Sequence, residues 1–116
     1  AGAELVGVPQ AGAVGEWTEG LFEAELRVAA FQNGYHAALV NRVGREDGLE
    51  FAGESFVVDP DGRVVARAPR GRDHLLFAEC DLARNAASHA ARHFLEDRRP
   101  RVYRGLGLTD GDPEDR

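Results

Sequence analysis

In this 116-residue chain, the short apolar runs outnumber the amphipathic stretches that could cover them. Residues 5–8, 37–40, 55–58, 63–66 and 75–78 read as strands, several of them apolar on both faces, while helical spacing is confined to two segments. A sheet that is apolar on both faces needs a layer on each, and two helices cannot supply both. The feature predicts an α/β layered architecture whose core is completed by polypeptide outside these residues.

The pass along the chain gives the order β, α, β, β-hairpin, β, α, with no internal repeat and no linker. The run 5–8 is ended by Pro9, and residues 10–15 are too small and Gly-rich for a regular element. Thr18 is a plausible N-cap for a helix that stops at Asn33-Gly34, with Leu21, Ala24, Val28 and Phe31 on one row and Phe22, Leu26 and Ala29 on the next. Glu23 and Arg27 stand four apart on its polar side, acid first, the favourable order. The run 37–40 is predicted as a strand buried on both faces that continues into Asn41-Arg42-Val43-Gly44, and 45–49 as a polar loop. Asp59-Pro60-Asp61-Gly62 between two β-rich runs predicts a hairpin, because Pro presets φ and Gly accepts a positive one. A strand over 75–78 is followed by a helix over 82–94, capped by Asp81 and stopped before Pro100. The acidic stretch 106–116, containing Gly and Pro, has nothing to bury and is predicted to be disordered.

Charge narrows the partners. With 14 basic and 20 acidic residues the formal charge is −6, and the run Arg98, Arg99, Arg101 and Arg104 is too short to hold a polyphosphate against it, so nucleic acid is excluded. No apolar stretch approaches the roughly 20 residues that cross a bilayer, and the first residues do not resemble a signal peptide. A single cysteine suits a reducing compartment, and the expected location is cytoplasmic. Every basic residue is arginine, so no lysine is present to act as nucleophile or oxyanion donor. Since Ala1 is not preceded by Met, the chain either lost its initiator or is part of a longer polypeptide.

Few constellations carry chemistry. Cys80 lies between Glu79 and Asp81, carboxylates that oppose a thiolate, and reads as a packing cysteine rather than the nucleophile of a thiol hydrolase with His74 or His89. His89 and His93 share a helical face but lack the intervening Glu of a zincin helix and a third ligand. Asp59 and Asp61, like the acids of the tail, do not keep a calcium-loop register, so no metal is expected. Glu16, Trp17, Glu23 and Glu54 draw more attention, because Glu16-Trp17 follow a flexible loop at the end of a strand, where α/β proteins commonly build sites.

Seven local words in order resemble the carbon-nitrogen hydrolases of the nitrilase superfamily, closest to the N-carbamoyl amidohydrolase and β-ureidopropionase branch. They are Gly2-Ala3-Glu4 before an apolar strand, Pro9-Gln10-Ala11, residues 27–34, Asn41-Arg42-Val43-Gly44, residues 51–57, Asp59-Pro60-Asp61-Gly62 and residues 98–103. The resemblance implies that residues 1–105 form the C-terminal half of an α-β-β-α sandwich. It implies hydrolysis of a non-peptide C–N bond, in a linear amide or N-carbamoyl compound, by a Glu-Lys-Cys triad without a cofactor. In the family the triad lies in the first half, which here falls upstream of Ala1, so this chain is expected to be inactive alone.

The substrate contacts implied are Gln10 and Ala11 first, then Glu16 and Trp17, with Asn41 and Glu54 nearby, where a role in fixing backbone turns is equally open. The segment from Arg99 to Tyr103 resembles an arm that packs on a partner subunit and implies a homo-oligomer. The expected partners are the small-molecule substrate and the N-terminal half of the same domain, with no membrane. The rival reading is a non-catalytic remnant that docks on a full-length relative.

Overall fold

Pro9 does not end the first strand. In the computed structural model, which describes residues 2–105, β1 runs over Leu5–Gln10 at the edge of a four-stranded sheet of order β1-β2-β5-β6. It pairs in parallel with β2 (His36–Asn41), from Leu5 opposite His36 to Gln10 opposite Asn41. Glu4 O accepts from His36 N at 3.0 Å and Gln10 O from Arg42 N at 3.2 Å, so the even-numbered residues of β1 face β2. The Pro9 nitrogen, which has no hydrogen to give, therefore faces the open edge, where a proline is tolerated.

Between these strands α1 (Leu21–Asn33) crosses one face of the sheet. Its start differs from the expectation: Gly20, left-handed at φ 80°, precedes the first turn, no side chain caps it, and Thr18 contributes only its carbonyl to Leu21 N at 3.0 Å. Its end is as predicted, with Gly34 at φ 68° donating to Ala30 O at 2.8 Å. The row Phe22, Leu26, Ala30 packs on Ala37, Leu39, Phe56 and Val58 to make the core, while Leu21 and Val28 of the other row are about half exposed.

Strand β2 is not buried on both faces. Ala37 and Leu39 lie under α1, but Val40 on the opposite face is 59% exposed, as is Leu5 at 53%. His36, on the same face as Val40, is only 1% exposed, its Nδ1 lying 2.9 Å from Asn85 Oδ1, so that face is covered at the start of β2 and open at Val40.

The stretch read as a polar loop is a hairpin. β3 (Val43–Glu46) pairs antiparallel with β4 (Leu49–Ala52) as a separate two-stranded sheet. Asp47 at φ 50° and Gly48 at φ 83° make a two-residue connection with both φ positive, and Asp-Gly is the dipeptide that such a turn selects.

The second hairpin, β5 (Phe56–Val58) with β6 (Val64–Arg67), forms as expected. Its turn is held by Asp59, only 2% exposed, whose Oδ1 accepts from Asp61 N at 3.0 Å and Arg63 N at 2.9 Å. Asp59 Oδ2 meets Arg84 Nη1 at 3.0 Å, and this carboxylate is the main cause of a guanidinium pKa raised above its ordinary value.

Residues 75–78 are not a strand. They pair with no strand among the described residues, and Leu75 and Phe77 are 74% and 80% exposed. An extended segment without a neighbour to take its backbone bonds has no sheet to join. The helix expected over 82–94 is two short ones, α2 (Ala83–Ala86) and α3 (His89–His93). Asp81 Oδ1 does accept from Ala83 N at 3.1 Å, but the extended Ser88 breaks the helix and recaps it, its hydroxyl accepting from Ala91 N at 3.1 Å. Pro100 starts rather than stops an element: it is the first residue of α4 (Pro100–Gly105), where a missing N–H costs nothing, so the expected arm is helical. The tail 106–116 lies outside the described residues.

Candidate functional site

Where β1 runs out, the backbone turns through Ala11 and Gly12 into a loop anchored at its start by the Asn41 side chain. Asn41 Oδ1 accepts from Gly12 N at 2.8 Å, and Asn41 Nδ2 donates to Gly12 O at 3.2 Å and to Gly53 O at 3.0 Å. Asn41 N in turn donates to the Ser55 hydroxyl oxygen at 3.0 Å. Both side-chain donors of Asn41 are thus committed to the backbone, and its work is to fix the two turns that flank the site.

Farther along the loop, Glu16 Oε2 accepts from Ala13 N at 3.0 Å, and Trp17 stacks on Phe22 with ring centroids 4.1 Å apart. Opposite, Gly53 and Glu54 both adopt left-handed backbone, at φ 67° and 53°, the latter uncommon for a residue with a side chain. The space between is a cleft of about 520 Å³ at the carboxyl ends of β1 and β2. Four of the six residues singled out from sequence, Gln10, Trp17, Asn41 and Glu54, line it together. Ala11 and Glu16 do not: Ala11 is exposed and Glu16 acts as a brace for the loop.

Four charged residues of the cleft, Glu19, Glu23, Arg67 and Arg70, were not among the expected contacts, although Glu23 stands out in the sequence. Arg67 forms an ion pair with Glu23 and lies over the Phe56 ring at 5.3 Å from its centroid, and Glu23 also meets Arg27 at 3.4 Å. Arg70 enters because its backbone bridges to Gly53. A signal for Arg67 existed, since extending the alternation of β6 by one residue puts it on the face of Phe56, its ladder partner. Arg70 carries no such signal, because its placement depends on a contact between distant segments.

Cys80 is half-buried and is not among the cleft residues. The His89 ring stacks on Phe31 at 5.1 Å and lies 4.5 Å from His93, a packing arrangement, and no group of three or more metal-capable side chains exists among the described residues. No helix there is long and apolar enough to cross a membrane. The cleft offers an aromatic wall, carboxylates, guanidinium groups and the carboxamides of Gln10 and Asn41, but neither thiol nor amine. It can hold and orient a small polar molecule, while the groups that would cleave an amide are not on its walls.

A sheet packed under α1, with a polar cleft at the carboxyl end of its parallel pair, has the architecture of the α/β class, in which ligand sites commonly form at that end. The chain belongs to the carbon-nitrogen hydrolase family, whose model matches residues 2–89. It is 46% identical over 72 residues to an (R)-stereoselective amidase of a Pseudomonas species, covering 60% of this chain and 26% of the relative. To a β-ureidopropionase of Arabidopsis thaliana it is 35% identical over 97 residues, 70% of this chain and 24% of the relative. Among solved structures, a carbon-nitrogen hydrolase from Helicobacter pylori G27 superposes with a TM-score of 0.72 at 30% identity, covering 90% of this chain and 41% of that one. The nitrilase-type fold is therefore shared, and the chain spans well under half the length of the relatives it matches.

Proposed function

We propose that these residues supply the C-terminal half of the fold, and with it one wall of the substrate pocket, in an enzyme that hydrolyses the C–N bond of a linear amide or N-carbamoyl compound. The observation that carries this reading is the cleft at the end of β1, lined by Gln10, Trp17, Asn41 and Glu54 in a chain of this family. The absence of lysine from the sequence and the position of Cys80 away from the cleft support a triad contributed by residues outside the chain. Glu would relay protons, Cys attack the carbonyl carbon, and Lys hold the developing oxyanion.

The reading frame around the Ala1 codon and an ammonia-release assay test this together. A frame that continues upstream through a Glu, a Lys and a Cys, encoding an enzyme that releases ammonia from propionamide or N-carbamoyl-β-alanine, fits the proposal. The 116-residue chain alone is then expected to give no ammonia above blank. Release by the isolated chain would overturn the reading, as would a complete polypeptide that attacks no amide, carbamoyl or nitrile substrate.

A further inference from the structure

Among the described residues, one buried side-chain polar atom has no hydrogen-bond partner: Gln10 Oε1. Its neighbours in the cleft are committed elsewhere, Asn41 to the backbone of Gly12 and Gly53, and Arg67 to Glu23. An amide oxygen kept from water without a donor is a standing cost to the folded state, and proteins retain few of them. Nothing anchors this carboxamide, and the terminal torsion of a Gln side chain is broad and nearly two-fold, so turning Oε1 toward the cleft breaks no bond.

We infer that Gln10 is a selectivity residue: its side-chain carbonyl accepts a hydrogen bond from an N–H of the substrate and so favours amide or ureido compounds over esters of the same shape. The inference rests on the function proposed above and adds to it the atom that reads the nitrogen. A site that keeps an acceptor for N–H leaves it unpaired when an isostere brings oxygen instead, and discrimination follows from that mismatch.

The experiment uses the complete enzyme and compares kcat/KM for propionamide and methyl propionate in the parent, Gln10→Leu and Gln10→Glu. In Gln10→Leu the amide-to-ester ratio is expected to fall by about tenfold, the worth of one hydrogen bond, with the thermal melt of each variant as the check on folding. Gln10→Glu keeps an acceptor and is expected to retain the preference. A Leu variant that slows amide and ester equally, or neither, overturns the inference while leaving the hydrolase reading intact. A parent that attacks no amide removes that reading, and the inference with it.

Discussion

Asn41→Asp is the most demanding test of the site's architecture, because it changes two protons and almost no volume. In the native chain Asn41 makes three side-chain hydrogen bonds, one accepted from Gly12 N and two donated to the carbonyls of Gly12 and Gly53. Gly12 and Gly53 are both buried, so water does not replace a lost partner. Aspartate keeps the first bond, loses the other two and sets a carboxylate against two carbonyl oxygens. At about 1 kcal/mol net per bond, with a further penalty for the unpaired carbonyls, the expected loss is about 3 kcal/mol, comparable to Asn41→Ala.

For a domain of this size such a loss lowers the melting temperature by roughly 10–15 °C. Urea unfolding followed by the single tryptophan is a suitable assay, since Trp17 stacks on Phe22 at the lip of the loop that Asn41 holds. The midpoint is expected to fall with an unchanged slope in both variants. An Asp variant within about 0.5 kcal/mol of the parent would refute the assignment of these bonds, since surface changes without structural consequence fall in that range.

Three further outcomes are expected. Gly62→Ala, at φ 75° with an added Cβ placed 3.1 Å from Arg27 O, is expected to destabilise by about 1–3 kcal/mol, read as a lower melting temperature. Asp59→Ala removes two turn bonds and the Arg84 partner and is expected to cost about 3 kcal/mol, whereas Asp59→Asn keeps the Oδ1 acceptor and costs less, a contrast that denaturant titration resolves. Replacing Leu75 and Phe77 together by Ser is expected to leave the unfolding midpoint unchanged and to reduce self-association in light scattering, because both side chains are largely exposed.

What the sequence made legible was whatever is decided locally. The Asp-Pro-Asp-Gly hairpin, the Gly34 stop of α1 and the row Phe22, Leu26 were readable because turn chemistry and helical period act over a few residues. The Asp47-Gly48 hairpin is equally local, but the polarity of 45–49 reads as a loop although Asp-Gly is itself a turn signal. Elements decided by neighbours were not readable. Whether 75–78 becomes a strand depends on an edge to pair with, and whether Pro9 fits within one depends on which side of β1 is open. In the site, Trp17 stands out by its position after a strand and loop, Gln10, Asn41 and Glu54 are named as contacts only through the family resemblance, and Arg70 depends on its bridge to Gly53.

The parallel pairing of β1 with β2 also sets the order in which the chain assembles. Both hairpins close over a few residues, on a timescale of about microseconds, whereas β1 meets β2 only after α1 and its flanking loops have been folded back. Closing that longer loop carries the larger entropy cost before any contact offsets it. β1 is therefore expected to be the last strand added to the sheet. Substitutions at Val6 or Val8 should then leave the refolding rate nearly untouched and speed unfolding, so the lifetime of the cleft is governed by how firmly its first strand stays on.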